Sequence, residues 1–423
     1  LKTLSVSRLA LALISGAALS ACSSTPPESQ PSTQQAPGTQ ARPVLSAGEA
    51  QNYTRERYFS DRDPQQPAWQ PAPVTVAQTA DFVVGPAGEA GVTHTTLQAA
   101  VDAAIEKRTS RRQYIAIMPG NYEGTLYIPA ASGSVTLYGL GDNPEAVKIV
   151  SAINGHSALS DWRHTVNPSG KYMPGKPAWY MYDSCQRQHS ATAGLMCSAV
   201  VWSQNNGLQL KNLTIANTLG DASGEGDNPG VALRTDGDKT QLDRVNILGR
   251  QNTLLFTNSD VHNQMRNDGQ PRTLVTDSYI EGDVDMVAGR GAAVFDNTEF
   301  RLVNSRTQKE GYVFAPATLP GIYYGFLAIN SRFVASGEGV AQLGRAWDLG
   351  AGASGYQPGQ TANGQVAIRD SVINAGFNRE KPWGDASVSL RPFSGNVAEQ
   401  RNLNDPQYNR MWEYQNHGAG SQE

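Results

Sequence analysis

Two carboxylates stand two positions apart in the run Tyr279-Ile280-Glu281-Gly282-Asp283-Val284-Asp285-Met286-Val287. Read as a strand, alternation sends Asp283 and Asp285 to one face, with Cα atoms ~6.5–7 Å apart at a rise of ~3.3 Å per residue. Like charges that close disfavour each other's ionisation, so one should be held by a cation and the other pushed towards its protonated form. Two like charges on one face are costly unless something uses them. The bland reading, solvated turn acids beside Gly282, uses the same residues. Other chemistries lack their parts: there is no G-x-S-x-G elbow, no H-E-x-x-H and no Walker loop, and the six His are scattered without ligand spacing. Neither a metal nor a cofactor is expected.

The elements around this pair read as strand, turn, strand, turn, strand across 273–300. Asp277-Ser278 and Asn297-Thr298 lie twenty positions apart in matching settings, the length of one solenoid coil. A looser copy of the motif, an apolar strand, then Asn or Asp, then another apolar strand, recurs at Leu208 to Ile215, Leu242 to Ile247, Leu327 to Phe333 and Val366 to Ile373. Irregular gaps between copies are loops, the longest being 152–200 with Trp162, Trp179, Tyr180 and Tyr182. Ahead of the repeats, Leu97, Ala100, Val101, Ala104 and Ile105 form one apolar face of a helix, with Thr95 and Gln98 spaced as a capping box. An open solenoid end needs such a cover. The expectation is an all-β chain, a single-stranded right-handed parallel β-helix with an N-terminal capping helix. A β-sandwich also yields many short strands, but the coil-length repeat favours the solenoid.

Residues 1–22 combine Lys2 and Arg8 with an apolar run from Leu9 to Ala21, too short to span a bilayer, and end in Leu19-Ser20-Ala21-Cys22. They read as a secretion signal closed by a lipobox, with Cys22 as the lipidated residue and Ser23 after it implying the outer membrane. Residues 23–75, rich in Pro, Gln and Ser, are expected to be a mostly disordered tether, and 76–423 the folded body. Export makes a disulfide between Cys185 and Cys197 permissible. A net charge of −4 with 17% charged residues offers no basic surface for nucleic acid. A monomer that meets its membrane only through the lipid is the expected form.

Four segments carry the remaining signal: Pro229-Gly230-Val231-Ala232-Leu233-Arg234, Gly249-Arg250-Gln251-Asn252-Thr253-Leu254, the run 279–289, and Leu343-Gly344-Arg345-Ala346-Trp347. In this order they resemble the pectinesterase (pectin methylesterase) family, whose motifs are QAVALR, GYQDTL, YIEGTVDFIFG and LGRPW. With the lipobox, the chain resembles the enterobacterial outer-membrane lipoprotein branch labelled acyl-CoA thioester hydrolases. The resemblance implies Asp285 as nucleophile, Arg345 as the guanidinium that orients it, Gln251 as an oxyanion donor, and Trp347 and Arg234 as substrate contacts. Asn252 stands at the family's acid/base aspartate, and an amide cannot hand a proton to departing methanol. Pro229, Met286, Ala288 and Gly124 also depart from the family's residues. Asp283, where family members carry Thr, is then the candidate surrogate acid.

These residues imply an aspartyl ester hydrolase acting on a carbohydrate or acyl ester, with pectin demethylation weakened at Asn252. A thioester hydrolase is the first alternative, because a thiol leaves as thiolate at a pKa near ~8.5 and needs an acid least. A non-catalytic glycan-binding envelope protein, using Trp179, Tyr180 and Trp347 as exposed stacking rings, is the second.

Overall fold

A computed structural model describes residues 36–60, 66–306 and 311–423. The signal segment, Cys22 and the tether up to residue 35 lie outside the described residues. Short strands separated by a polar corner dictate the winding. In the coil that holds the two acids, Arg272–Thr276 passes through Asp277 and Ser278 to Tyr279–Gly282, then round a bend to Val287–Gly289. The next coil repeats this as Ala292–Asp296, Glu299–Leu302 and Tyr312–Pro316. Successive coils pair in parallel, Thr276 beside Asp296 and Tyr279 beside Glu299, which is the twenty-residue offset read from the sequence. The product is a parallel β-helix whose described strands form a sixteen-stranded and a seven-stranded sheet.

Asn and Asp recur at the corners for a conformational reason. Asn212, Asp277, Asn297, Asn330 and Asp370 all take φ between 48° and 55°, the left-handed region that these side chains tolerate best after glycine. After three of these corners a serine hydroxyl supports the preceding coil: Ser278 Oγ accepts from the Val245 amide at 3.1 Å, Ser331 Oγ from the Thr298 amide at 3.1 Å, and Ser371 Oγ from the Ser331 amide at 3.0 Å. Inside, Phe295, Phe300, Phe314, Phe326 and Phe333 stack from coil to coil, with Phe300 and Phe333 only 4.8 Å apart. Each such buried ring contributes ~1.5–3 kcal/mol.

The helix Leu97–Glu106 covers the first coil, as expected, but Thr96 and not Thr95 caps it. Gln98 takes no part in a capping box. Its side-chain amide accepts from the Tyr127 N–H at 2.9 Å and donates to the Tyr127 carbonyl at 2.8 Å. It thereby satisfies the edge strand Leu126–Ile128, which is what a solenoid cap must do.

The expected tether is corrected from residue 36 onward. Two short helices, Ala47–Ala50 and Arg55–Tyr58, pack on the outer face of the larger sheet. Leu45, Tyr53, Tyr58 and Phe59 are buried there with Val294, Leu327, Ala367 and Trp412. Arg42 forms a bidentate ion pair with the buried Glu413 at 2.7 and 2.8 Å. A few anchors spaced through a polar stretch suffice to dock it, and average polarity concealed them. The 152–200 insert folds as the helices Leu159–Val166 and Trp179–Gln186, and the Cys185–Cys197 disulfide ties the second helix to the end of the same insert. Trp179 and Tyr180 are not the exposed rings expected: both pack against the core, and the Tyr180 hydroxyl accepts from the Ala130 amide.

Candidate active site

Asp283 and Asp285 do not share a strand face. The chain bends between Tyr279–Gly282 and Val287–Gly289, and Asp285 takes a φ of +47°, so strand alternation fails across the pair. Each acid consequently finds its own cation. Asp285 accepts from Arg345 Nε at 2.8 Å and Nη2 at 2.9 Å. Asp283 accepts from Arg306 Nε at 2.9 Å and Nη2 at 2.8 Å, with both side chains about 1% exposed. The surrogate-acid role for Asp283 is therefore withdrawn: both of its oxygens are engaged by a buried guanidinium, which leaves neither turned towards a substrate. Arg306 also donates to Ser223 Oγ at 3.1 Å, tying this buried pair to the loop 220–230.

The Asp285 pair is different because it reaches solvent. Its side chains keep 13% and 20% exposure, and the Arg345 guanidinium lies 4.1 Å above the Tyr312 ring. Burial works against the charge on Arg345, and the adjacent Asp285 carboxylate outweighs it, holding the guanidinium above the usual arginine range. Arg345 is placed by the strand Gln342–Gly344, which stacks on Tyr312–Pro316, which in turn stacks on Val287–Gly289. Trp347, half-buried, follows two residues later on the turn anchored by its amide to the Pro316 carbonyl at 2.9 Å.

From the preceding coil, Gln251 and Asn252 overhang the bend. The Asn252 amide N–H donates to the Val284 carbonyl at 3.0 Å, and its side-chain Nδ2 lies 3.3 Å from the Asp285 carbonyl oxygen. Asn252 is 6% exposed and left-handed, at a φ of 59°. Gln251 is oriented by its neighbours: Oε1 accepts from the Asn228 amide at 2.8 Å, and Nε2 donates to Asp227 Oδ1 at 2.7 Å. The other Asp227 oxygen lies 3.1 Å from His156 Nε2. Asp227, Asn228 and Arg306 escaped the sequence reading because they belong to no motif and act across 23 or more residues.

Arg234 is corrected as a substrate contact. It is fully buried, lies 4.1 Å from the Trp202 ring, and donates to Thr257, Met196, Ser259, Asn263 and Asp236. Burial pushes its pKa down, with Asp236 opposing. It anchors the wall that holds the insert, since Asn263 also reaches the sulfurs of Cys185 and Cys197 at 3.9 and 3.7 Å. Met286 and Ala288 face the interior with no exposure. The assembled groups are thus an oriented carboxylate, a guanidinium, one side-chain amide donor and a half-buried indole, with no acid at position 252.

The family model described as Pectinesterase matches residues 182–349. An Escherichia coli protein named "Putative acyl-CoA thioester hydrolase YbhC" is 64% identical over 100% of this chain and 98% of its own. The crystal structure of that protein superposes with a TM-score of 0.87, covering 94% of this chain and 99% of the other at 63% identity. Pectinesterase B of Dickeya dadantii is 47% identical over 96% of this chain and 97% of its own. The structure of rice weevil pectin methyl esterase matches with a TM-score of 0.80 at 34% identity, covering 91% and 99% of the two chains. Fold, motif order and near-complete coverage agree: the chain belongs to the pectinesterase family.

Proposed function

We propose that this protein hydrolyses carboxylic esters through an acyl intermediate on Asp285. The observation that carries the reading is the bidentate Asp285–Arg345 pair, the solvent-reachable one of two adjacent acid–arginine pairs. An Asp285 oxygen attacks the ester carbonyl, the Gln251 amide donates to the developing oxyanion, and the C–O or C–S bond to the leaving group breaks. Water then cleaves the resulting anhydride, releasing the acid and restoring the carboxylate. Gln251 Nε2 must turn from Asp227 to the oxyanion for this step. Arg345 aims the carboxylate for attack through its two hydrogen bonds.

Asn252 favours a particular class of leaving group. A thiol departs as thiolate at a pKa near ~8.5, whereas an alkoxide is about as basic as hydroxide, with water at ~15.7, and needs a proton as it departs. Thioesters and aryl esters therefore fit this site better than methyl esters. Methyl-esterified acidic polysaccharide, the substrate class of the pectinesterase relatives, is the second reading, supported by the retained indole of Trp347. The protein works as a lipoprotein held at the outer membrane through Cys22, a reading supported by the order of signal, lipobox and polar segment. The test compares purified wild type and Asp285→Asn on an acyl thioester, an aryl ester and a methyl-esterified oligosaccharide. The expected result is turnover of the first two, abolished by the substitution. Absence of turnover on all three, with saccharide binding retained, would replace this reading with a binding module.

A further inference from the structure

Gln251 is the amide that the proposed reaction aims at the oxyanion, yet the structure gives it to another acceptor. Its Oε1 accepts from the Asn228 amide at 2.8 Å, and its Nε2 donates to Asp227 Oδ1 at 2.7 Å. Both partners sit on the loop 220–230, which is fixed from three sides. Asp221 accepts from Arg250 Nε at 2.8 Å, Ser223 Oγ accepts from the buried Arg306 at 3.1 Å, and Asn228 Oδ1 accepts from Asn154 Nδ2 at 3.0 Å. The loop then joins the coil of Gln251 directly, through the Gly230 N–H on the Gln251 carbonyl at 3.1 Å. A carboxylate is thus held on the donor by a loop tied to that coil, to the insert and to the Asp283–Arg306 pair.

Among the described residues no lysine or arginine pairs with Asp227; its ionisable neighbour is His156, with Nε2 at 3.1 Å from Oδ2, and its side chain is 73% exposed. The two arginines that bind this loop are already taken, Arg250 by Asp221 and Glu281 and Arg306 by Asp283. With Nε2 at hydrogen-bond distance from the carboxylate and at ~2.9 Å from an oxyanion, the two oxygens lie within about 6 Å of each other. The transition state is opposed twice: the carboxylate competes for the amide, and its charge stands beside the charge that develops. We propose that Asp227 is a specificity-determining residue, which parks Gln251 and bars substrates that carry a further negative charge near the reacting carbonyl. The inference rests on Gln251 acting as the oxyanion donor. An anionic acyl group meets Asp227 as a like charge, a neutral one does not, and a cationic one draws the carboxylate off the amide. Thioesters and aryl esters of neutral acids fit this arrangement better than a polysaccharide with free carboxylates beside the esterified one.

The test measures kcat and KM of the full-length protein for phenyl esters of β-alanine, butyrate and succinate, acyl groups of similar length that carry a cation, no charge and an anion. Assays run at pH 8, above the range in which histidines change charge, and each rate is corrected for uncatalysed hydrolysis. Coulomb's law in water at ~7 Å gives about 3-fold per charge, so kcat/KM is expected to fall about 3-fold from cation to neutral and again to anion. The spread should shrink in about 1 M salt. Asp227→Asn should bring the three esters within about 2-fold of one another. It should also raise kcat for the butyrate ester roughly 3-fold, because a neutral amide holds Gln251 less firmly than a carboxylate. Glu225→Gln, which takes a charge from the same loop, should keep the spread. Equal kcat/KM for the three esters in the wild type, a spread that survives Asp227→Asn, or one that Glu225→Gln abolishes equally would overturn the proposal. A fall in kcat on Asp227→Asn would also overturn it, by making the carboxylate an aid to the donor. No turnover of any ester by the wild type would remove the esterase reading and this inference with it, whereas turnover without charge preference removes the inference alone.

Discussion

Asn252→Asp puts an ionisable group where the reaction lacks a proton donor, and the structure sets its expected effect. The backbone there is left-handed at a φ of 59°, a region aspartate tolerates nearly as well as asparagine, so the fold should accept the change. The present Nδ2 lies 3.3 Å from the Asp285 carbonyl oxygen, an acceptor that only a protonated carboxyl can keep as a partner. The position is 6% exposed, which also disfavours the charged form. The new acid should therefore hold its proton well above the usual aspartate range, as donation to a departing alkoxide requires. A positioned general acid contributes ~10²–10⁴-fold. Because the existing contact is long, the lower end is expected: about 100-fold in kcat for a methyl ester, or ~2.7 kcal/mol of barrier. Thioester turnover should change by less than about 3-fold, since a thiolate needs no such proton. Methanol release and free-thiol release, measured on the same preparation, separate the two. The sign of the stability effect follows: a raised folded pKa favours folding below the unfolded value of ~3.9 and loses that contribution as pH rises through the folded value. The melting temperature of Asn252→Asp should thus fall against wild type as pH is raised above about 4. If the variant melts normally and the methyl ester rate does not rise, the account of Asn252 as the missing acid is refuted.

Three further outcomes are expected. Asp283→Asn strands the buried Arg306 charge and should cost ~3–5 kcal/mol in denaturant unfolding while leaving turnover per folded molecule unchanged; a midpoint shift below about 1 kcal/mol would show the pair to be dispensable. Lys171 donates to the Thr125 carbonyl beside Gly124, and burial, opposed by Asp102, pushes its pKa down to about 8. A depressed folded value gives stability that is complete above the unfolded value of ~10.4 and lost as pH falls through 8. Lys171→Met should therefore be more stable than wild type at pH 7, by up to ~3 kcal/mol, with the gap closing towards pH 10; a pH-independent difference would contradict this. Cys22→Ser should move the protein from the membrane to the soluble fraction, and unchanged fractionation would sink the lipid anchor.

The solenoid was legible in the sequence because its physics is local. Asp277 and Asn297 recur twenty positions apart because each corner needs a left-handed residue and each coil repeats the same strand length. The apolar face of Leu97–Glu106 announced a cover for the same reason, although the exact cap, Thr96, and the turn of Gln98 onto Tyr127 depend on the edge strand it meets. Asp285, Arg345, Gln251 and Asn252 could be listed from motif order, and the structure brings them to one bend.

Tertiary structure alone decided what each charge does. Spacing put Asp283 and Asp285 on a common face, but one left-handed residue broke the alternation, and the two carboxylates went to Arg306 and Arg345. Nothing near Arg306 in the chain marks it as a partner 23 residues from Asp283. Arg234 looked available for substrate until Trp202, Thr257 and Asn263 closed around it from other coils. The polar stretch from residue 36 looked unable to fold, yet Tyr58 and Phe59 dock on a sheet face assembled from Val294, Leu327 and Trp412, residues hundreds of positions away. Periodicity reports which residues turn inward along one strand; the partner a buried charge meets is set by neighbouring coils, which the one-dimensional pattern does not contain.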